Sequence, residues 1–125
     1  MLSLKRYGEV RSQTSSKEQI LAQLLEGALA YLRTGRAALD EKRPLEAAKP
    51  LLKATAIVNQ LMATLDRRVA PDLSENIGKV YAFVCQRLLE ASTKSDAKAA
   101  AEAEQAFTPI AEGLLEAIRR ETVGR

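Results

Sequence analysis

The stretch Ser16–Leu32 reads SKEQILAQLLEGALAYL and has the repeat of an amphipathic helix. Its apolar residues recur at intervals of three and four and cover about half of the helix circumference. Ser16 is a favourable N-cap and Gln19 completes a capping box, so the sequence predicts that a helix begins here. Gly27 interrupts the pattern although a glycine within a helix costs about 1 kcal/mol relative to alanine. This indicates a close crossing with another helix.

Helix-breaking residues divide the rest of the chain into three further predicted helices. The four helices run from about Ser16 to Glu41, from Pro44 to about Val69, from about Leu73 to Ser92, and from a cap at Ser95 or Asp96 to about Glu121. Pro44 suits the first position of a helix, whereas Pro50 and Pro109 predict kinks. Because short connections make neighbouring helices antiparallel, the prediction is an all-α, antiparallel up-down four-helix bundle over residues 14–125. Residues 1–13 are predicted to form a mobile N-terminal arm.

Composition narrows the class of function. The chain has 125 residues, of which 46% are hydrophobic and 28% charged, and this fits one globular domain. Its basic residues come as isolated pairs rather than as one clustered face, so nucleic-acid binding is not expected. The chain has no histidine, which excludes Ser-His-Asp triads and Glu-x-x-His di-iron sites. We expect no enzymatic activity, catalytic residues, metal, cofactor or small-molecule substrate.

Four glutamates of the last predicted helix form a line of carboxylates. They are Glu102, Glu104, Glu112 and Glu116. Paired catalytic acids would need an accompanying constellation of histidine, Gly-rich loop or metal ligands, and the sequence has none. We interpret these residues as solvated charges on a helix face.

Cys85 is the only cysteine of the chain, so no internal disulfide forms. A lone thiol fits a reducing compartment, and we expect a cytoplasmic protein. Within its helix we expect Cys85 to act as a small buried hydrophobe rather than as a reactive thiol. The start of the chain lacks an apolar signal core and no apolar run is long enough to span a bilayer, so membrane insertion is not expected.

The second and third predicted helices carry more apolar residues than one buried stripe requires. The additional seams consist of Leu45, Ala48, Leu52, Ala56, Asn59 and Ala63 on the second helix, and of Gly78, Ala82, Cys85 and Leu89 on the third. Small residues in these seams would leave a shallow trough for a partner helix, and exposed apolar surface usually marks an interaction site. The alternative is a broad stripe that contacts two neighbouring helices, with alanines simply favoured on helix surfaces.

Several blocks of the chain resemble the FliS family of bacterial flagellin export chaperones. Ser16–Leu32 resembles the first helix of that family through its Ser-x-Glu start and the acidic-Gly-Ala sequence at 26–28. The segment LMATLD at 61–66 resembles the end of the second helix, and NIGKVYAFV at 76–84 and RLLEA at 87–91 resemble the third. The order and spacing of the blocks match over about residues 14–118. Lys17 replaces a frequent proline, and Leu25-Glu26 replaces a frequent Tyr-Asp.

The resemblance implies a cytosolic, non-enzymatic secretion chaperone. In that family the chaperone holds the C-terminal helical segment of flagellin in apolar grooves on the outside of the bundle and prevents premature polymerisation. It would then pass flagellin to the flagellar type III export gate. The alternative function is a self-associating structural or adaptor bundle, a homodimer that does not bind flagellin.

The mechanism that we expect for the seams is helix-in-groove recognition. The predicted floor of the groove consists of Leu52, Ala56, Ala63, Ala82, Cys85 and Leu89. Ile57 and Phe83 are predicted to line its margins, and Asn59 to satisfy a backbone group of the partner. The remaining members of the predicted groove are Leu45, Ala48 and Gly78. Tyr7 resembles the tyrosine of the family's N-terminal arm, which can cover a pocket until flagellin displaces it. Otherwise Tyr7 is an ordinary tyrosine on a mobile arm.

Overall fold

The computed structural model describes the backbone of residues 2–66, 68 and 70–123, and the side chains of residues 17–66, 68 and 70–121. It contains four helices, α1 (Leu2–Asp40), α2 (Pro44–Ala63), α3 (Pro71–Lys94) and α4 (Ala97–Val123). No strand occurs in these ranges. The all-α four-helix architecture predicted from the sequence is confirmed.

The four helices form a ring in which each helix packs against two others. Helix α1 packs against α2 and α4, and α3 packs against the same two helices, whereas the backbones of the diagonal helices stay apart throughout the described residues. Short connections make consecutive helices antiparallel. The largest fully buried side chains are Tyr81, Phe107, Leu25, Leu32, Leu51, Leu61, Leu88, Val58 and Val84. The rings of Tyr81 and Phe107 pack across the α3–α4 interface with their centroids 6.2 Å apart.

Several predicted helix boundaries are corrected by the structure. Helix α1 begins at Leu2, so the prediction that Ser16 caps its start is wrong. That residues 1–13 form a mobile arm stays a prediction. Helix α2 ends at Ala63 rather than near Val69, and the Thr64 hydroxyl donates to the Leu61 carbonyl at 2.8 Å. The same carbonyl also accepts from the backbone N–H of Thr64 at 3.2 Å, so the hydroxyl adds a second hydrogen bond at the end of the helix.

Two predicted helix starts are confirmed. Pro44 is the first residue of α2. The first N–H groups of a helix have no acceptor within the helix, so the lack of an N–H group in proline costs no hydrogen bond there. Asp96 caps α4, since its Oδ1 accepts hydrogen bonds from the backbone N–H groups of Lys98 at 3.0 Å and Ala99 at 3.2 Å. Helices α2 and α4 continue through Pro50 and Pro109.

The close crossing of α1 and α2 occurs at Gly35 rather than at Gly27. A Cβ atom at Gly35 would lie 2.6 Å from Leu51 Cδ2, whereas one at Gly27 would lie 3.5 Å from Ile57 Cδ1, an ordinary contact distance. The prediction therefore assigned the crossing to the wrong glycine. Both glycines lie on α1, and only the path of α2 decides which of them must lack a side chain.

The three- and four-residue repeat predicts buried positions for Ile20 and Leu73, but both side chains are exposed. Ile20 of α1 and Leu73 of α3 expose 56% and 58% of their surface. The contact between Gly27 and Ile57 places Ile20 beyond the level of Ala63, where α2 ends. Leu73 lies in the first turn of α3 at the same end of the bundle. These side chains stay exposed because the bundle has fewer neighbouring helices there.

The buried phenol of Tyr81 predicts a specific alkaline transition. Burial raises the pKa of Tyr81 from 10.0 to about 12. Because the folded-state pKa lies above the unfolded value, the stability that the neutral phenol contributes is present below pH 10 and is lost as the pH rises towards 12. We expect the free energy of unfolding to fall by about 2 kcal/mol more in the wild-type chain than in Tyr81→Phe over this range. Urea denaturation at pH 10 and at pH 12 measures this difference. Equal losses of unfolding free energy in the wild-type chain and in Tyr81→Phe would contradict the prediction.

Candidate partner-binding surface

Helices α2 and α3 expose apolar side chains that the core does not use. Leu45, Leu52 and Leu89 expose 92%, 70% and 62% of their surface. The alanines of the same seams, Ala48, Ala56, Ala63 and Ala82, are also exposed. These members of the seams that the sequence predicted are therefore on the outside of the bundle.

The exposed seams of α2 and α3 lie side by side. Cys85 Sγ of α3 is 3.5 Å from Asn59 Oδ1 of α2. Because the two helices are antiparallel and have the same rise per residue, this contact fixes their relative register. It places Leu89 level with Thr55, and Ala82 level with Met62.

We call the resulting surface the α2–α3 trough. It consists of Leu52, Ala56, Asn59 and Ala63 of α2 and of Ala82, Cys85 and Leu89 of α3. The leucines lie towards the end of the bundle that holds the α1–α2 connection, and the alanines Ala63 and Ala82 lie towards the α2–α3 connection. Small side chains along its length let another helix approach both backbones closely. The leucines supply apolar contact area at one end.

The structure does not bring Ile57 and Phe83 to the margins of the trough. Ile57 points towards α1. Its Cδ1 is the atom that a Cβ at Gly27 would meet, at 3.5 Å. Phe83 lies one turn before Arg87, which contacts Glu102 of α4 at 3.5 Å, so Phe83 is on the α4 side of α3. Successive helical residues differ in direction by about 100°. Ile57 therefore lies at the interface of α2 with α1, and Phe83 lies on the side of α3 that faces α4.

The other predicted groove residues fall into three groups. Leu45 and Ala48 are exposed and extend the trough along α2. Gly78 is buried, so it belongs to the packing of α3 and offers no surface to a partner. Tyr7, the predicted lid, lies outside the residues whose side chains the structure describes.

Cys85 has the environment of an unreactive thiol. Its side chain is half-buried rather than fully buried, and burial raises the pKa of the thiol. The group therefore keeps its proton at neutral pH, when it can donate to Asn59 Oδ1. Reactive thiols need the opposite combination of exposure and a lowered pKa, so the interpretation of Cys85 as an inert small side chain agrees with its surroundings.

Asp66 holds the connection between the two helices of the trough. Its Oδ1 accepts from the backbone N–H of Arg68 at 3.0 Å and from the guanidinium Nε of the same residue at 3.3 Å. Its backbone carbonyl accepts from the Ser74 hydroxyl at 3.1 Å. These bonds tie the end of α2 to the first turn of α3. The role of Asp66 is therefore to hold this loop.

Three of the four carboxylates in the predicted line on α4 are ion-paired. Glu104 lies 3.2 Å from Arg36 of α1, and Glu102 lies 3.5 Å from Arg87 of α3, so both pairs connect α4 to its neighbours. Hydrogen bonds from Arg119 and Arg120 lower the pKa of Glu116. The prediction of solvated charges is therefore incomplete, since three of the four glutamates pair with arginines. Among the described residues no group of three or more His, Cys, Asp or Glu side chains is arranged to hold a metal ion.

A cleft of about 480 Å³ that the sequence did not reveal lies at the end of the bundle near the α2–α3 connection. It is lined by Lys17, Ile20, Leu21, Leu24, Thr64 and Asp66. The only sign of this cleft in the sequence is that Ile20, Leu21 and Leu24 are apolar residues of the first predicted helix. Within the described ranges, no helix combines the length and apolar character needed to cross a membrane.

A helical bundle with an open apolar trough has the architecture expected of a chaperone that covers part of another protein. The family model described as Flagellar protein FliS matches residues 2–121, and the chain belongs to this family. The resemblance found in the sequence is thereby confirmed.

Curated relatives extend the comparison. The chain is similar to flagellar secretion chaperone FliS of Salmonella typhimurium, with 30% identity over 114 residues that cover 87% of this chain and 84% of that protein. It is similar to FliS of Bacillus subtilis, with 27% identity over 119 residues that cover 95% and 88% of the two chains. It is also similar to FliS of Escherichia coli, with 26% identity over 106 residues that cover 84% and 78%. These relatives support the role of a flagellar secretion chaperone.

Proposed function

We propose that this chain is a cytoplasmic chaperone that binds the C-terminal helical segment of flagellin in the α2–α3 trough. The chaperone keeps flagellin from polymerising before export and delivers it to the type III export gate. The observation that carries the proposal is the exposure of Leu52 and Leu89 beside the small residues of the trough, in a member of the FliS family. The proposal assigns no catalysis and no cofactor to the chain.

The trough fits a helix that presents one apolar face. Alanines in the floor allow close approach of the partner backbone, and each leucine contributes about 1.5–3 kcal/mol when it becomes fully buried. A segment that is disordered before binding must lose conformational entropy when it folds on the trough, and this loss offsets part of the contact energy. An extended apolar surface is therefore needed, and the additional exposed residues Leu45 and Ala48 lengthen it.

Calorimetry with the purified C-terminal segment of flagellin tests the proposed function. We expect a saturable complex with a negative heat-capacity change, because binding buries apolar surface. Flagellin that lacks this segment serves as the control and should give no such complex. Absence of binding by the segment would overturn the proposal. Light scattering adds a second criterion, since a stable dimer that flagellin neither dissociates nor joins would support the homodimer instead.

The single thiol reports where the segment binds. Cys85 lies in the trough and is the only cysteine of the chain. Its side chain is partly exposed, so a thiol reagent in excess labels it slowly in the free chain. A bound helix covers it, so we expect saturation with the segment to slow this labelling further. An unchanged reaction rate in the saturated complex would place the segment on another face of the bundle.

A further inference from the structure

Asn59 is the one uncharged polar side chain among the residues that form the trough. Ala56 and Ala63 lie one turn to either side of it on α2, and Cys85 faces it from α3. The side chain is exposed, so the folding of the bundle does not require an amide at this position. Any helix that fills the trough, however, must pass directly over it.

The contact with Cys85 fixes the direction of the amide. Asn59 Oδ1 accepts from the Cys85 thiol at 3.5 Å, and the thiol remains a donor because burial raises its pKa. The carbonyl oxygen therefore faces α3, and the Nδ2 group is directed away from this contact. No hydrogen bond from Nδ2 is present in the part of the chain whose side chains are described. Its two N–H groups are thus presented to solvent, where they can donate to an occupant of the trough.

Covering this amide with an apolar helix has a consequence for binding. Burial removes the water molecules that accept hydrogen bonds from the Nδ2 group. A buried amide without a hydrogen-bond partner weakens binding by about tenfold or more. An acceptor on the occupant at this level restores the hydrogen bond. In coiled coils a single asparagine in an otherwise apolar seam fixes the register of the helices for the same reason.

We infer that Asn59 sets the register of the bound helix. The occupant carries one hydrogen-bond-accepting side chain, from asparagine, glutamine, serine or threonine, within its apolar face, and this side chain meets Nδ2 of Asn59. Binding in a shifted register leaves both polar groups unpaired and is disfavoured. The inference rests on the proposed function and adds the determinant of how the flagellin segment is aligned.

A pair of amide-to-leucine variants tests the inference. Asn59→Leu enlarges the apolar surface of the trough but removes the donor, so we expect it to weaken binding of the flagellin C-terminal segment about tenfold. Gln105→Leu makes the same chemical change at an exposed position of α4, which does not contact α2, and should leave affinity within about twofold. Circular dichroism verifies that both variants retain their helicity. An affinity of Asn59→Leu equal to or tighter than that of the wild type overturns the inference.

The partner side chain is found by a double-mutant cycle. Each polar residue in the apolar face of the segment is replaced by alanine and is measured against wild-type chaperone and Asn59→Ala. We expect one residue to show a coupling of about fivefold to tenfold, since each variant removes one side of the same hydrogen bond. Lack of coupling at every position overturns the inference. If the wild-type chain binds and neither test shows an effect, only the register inference fails, whereas failure of the wild-type chain to bind removes the proposed function itself.

Discussion

We expect Ala56→Arg and Ala82→Arg each to weaken binding of the flagellin C-terminal segment by about 100-fold without a change of fold. Both alanines are exposed in the free bundle, so an arginine at either position remains hydrated and costs little there. In the complex the guanidinium would lie beneath an apolar helix without a carboxylate partner. The cost of burying an uncompensated charge of this kind is about 3 kcal/mol, which corresponds to the predicted loss of affinity.

A matched substitution separates a local effect from a general one. Ala117 is exposed on α4, which does not contact α2, so Ala117→Arg adds the same charge away from the trough. We expect this variant to bind like the wild type in calorimetry. If Ala56→Arg and Ala82→Arg also bind like the wild type while their helicity is retained, the segment binds elsewhere on the bundle.

We expect two glycine-to-alanine variants of α1, Gly27→Ala and Gly35→Ala, to differ in free energy of unfolding by about 3 kcal/mol. Each gains up to about 1 kcal/mol of helix propensity, so this contribution cancels in the comparison. A Cβ at Gly27 meets only Ile57 Cδ1 at 3.5 Å, whereas a Cβ at Gly35 lies 2.6 Å and 2.7 Å from Cδ2 and Cγ of Leu51. Leu51 is 1% exposed and cannot move into solvent. The difference is therefore the cost of overpacking, near the upper part of its usual range.

Urea denaturation of both variants measures this difference. We expect Gly27→Ala to be as stable as the wild-type chain or more stable, and Gly35→Ala to be less stable. Equal stabilities would show that α1 and α2 can separate at their crossing without loss of packing. The pair also tests the correction made by the structure, because the sequence alone placed the close approach at Gly27.

The number of helices and most of their ends follow from local chemistry, whereas the start of α1 and the end of α2 do not. The stripe of Leu51, Val58 and Leu61 is buried as the three- and four-residue spacing predicts. Pro44 favours the start of a helix because it lacks an N–H group, and Asp96 does so because its short carboxylate reaches the first N–H groups of the helix. The surplus of apolar residues on α2 and α3 is likewise visible in the sequence, and so is the family resemblance.

What the sequence determined by itself is the class of fold and the existence of unused apolar seams on two helices, since both depend on periodicity along one chain. Tertiary structure decided which seam residues meet. It placed Asn59 beside Cys85, turned Ile57 towards α1, put Phe83 on the side of α4 and buried Gly78. The physical reason is that these relations depend on the rotation and axial position of one helix against another. Those quantities are set by contacts between distant residues, such as Gly35 with Leu51, and not by the repeat within either helix.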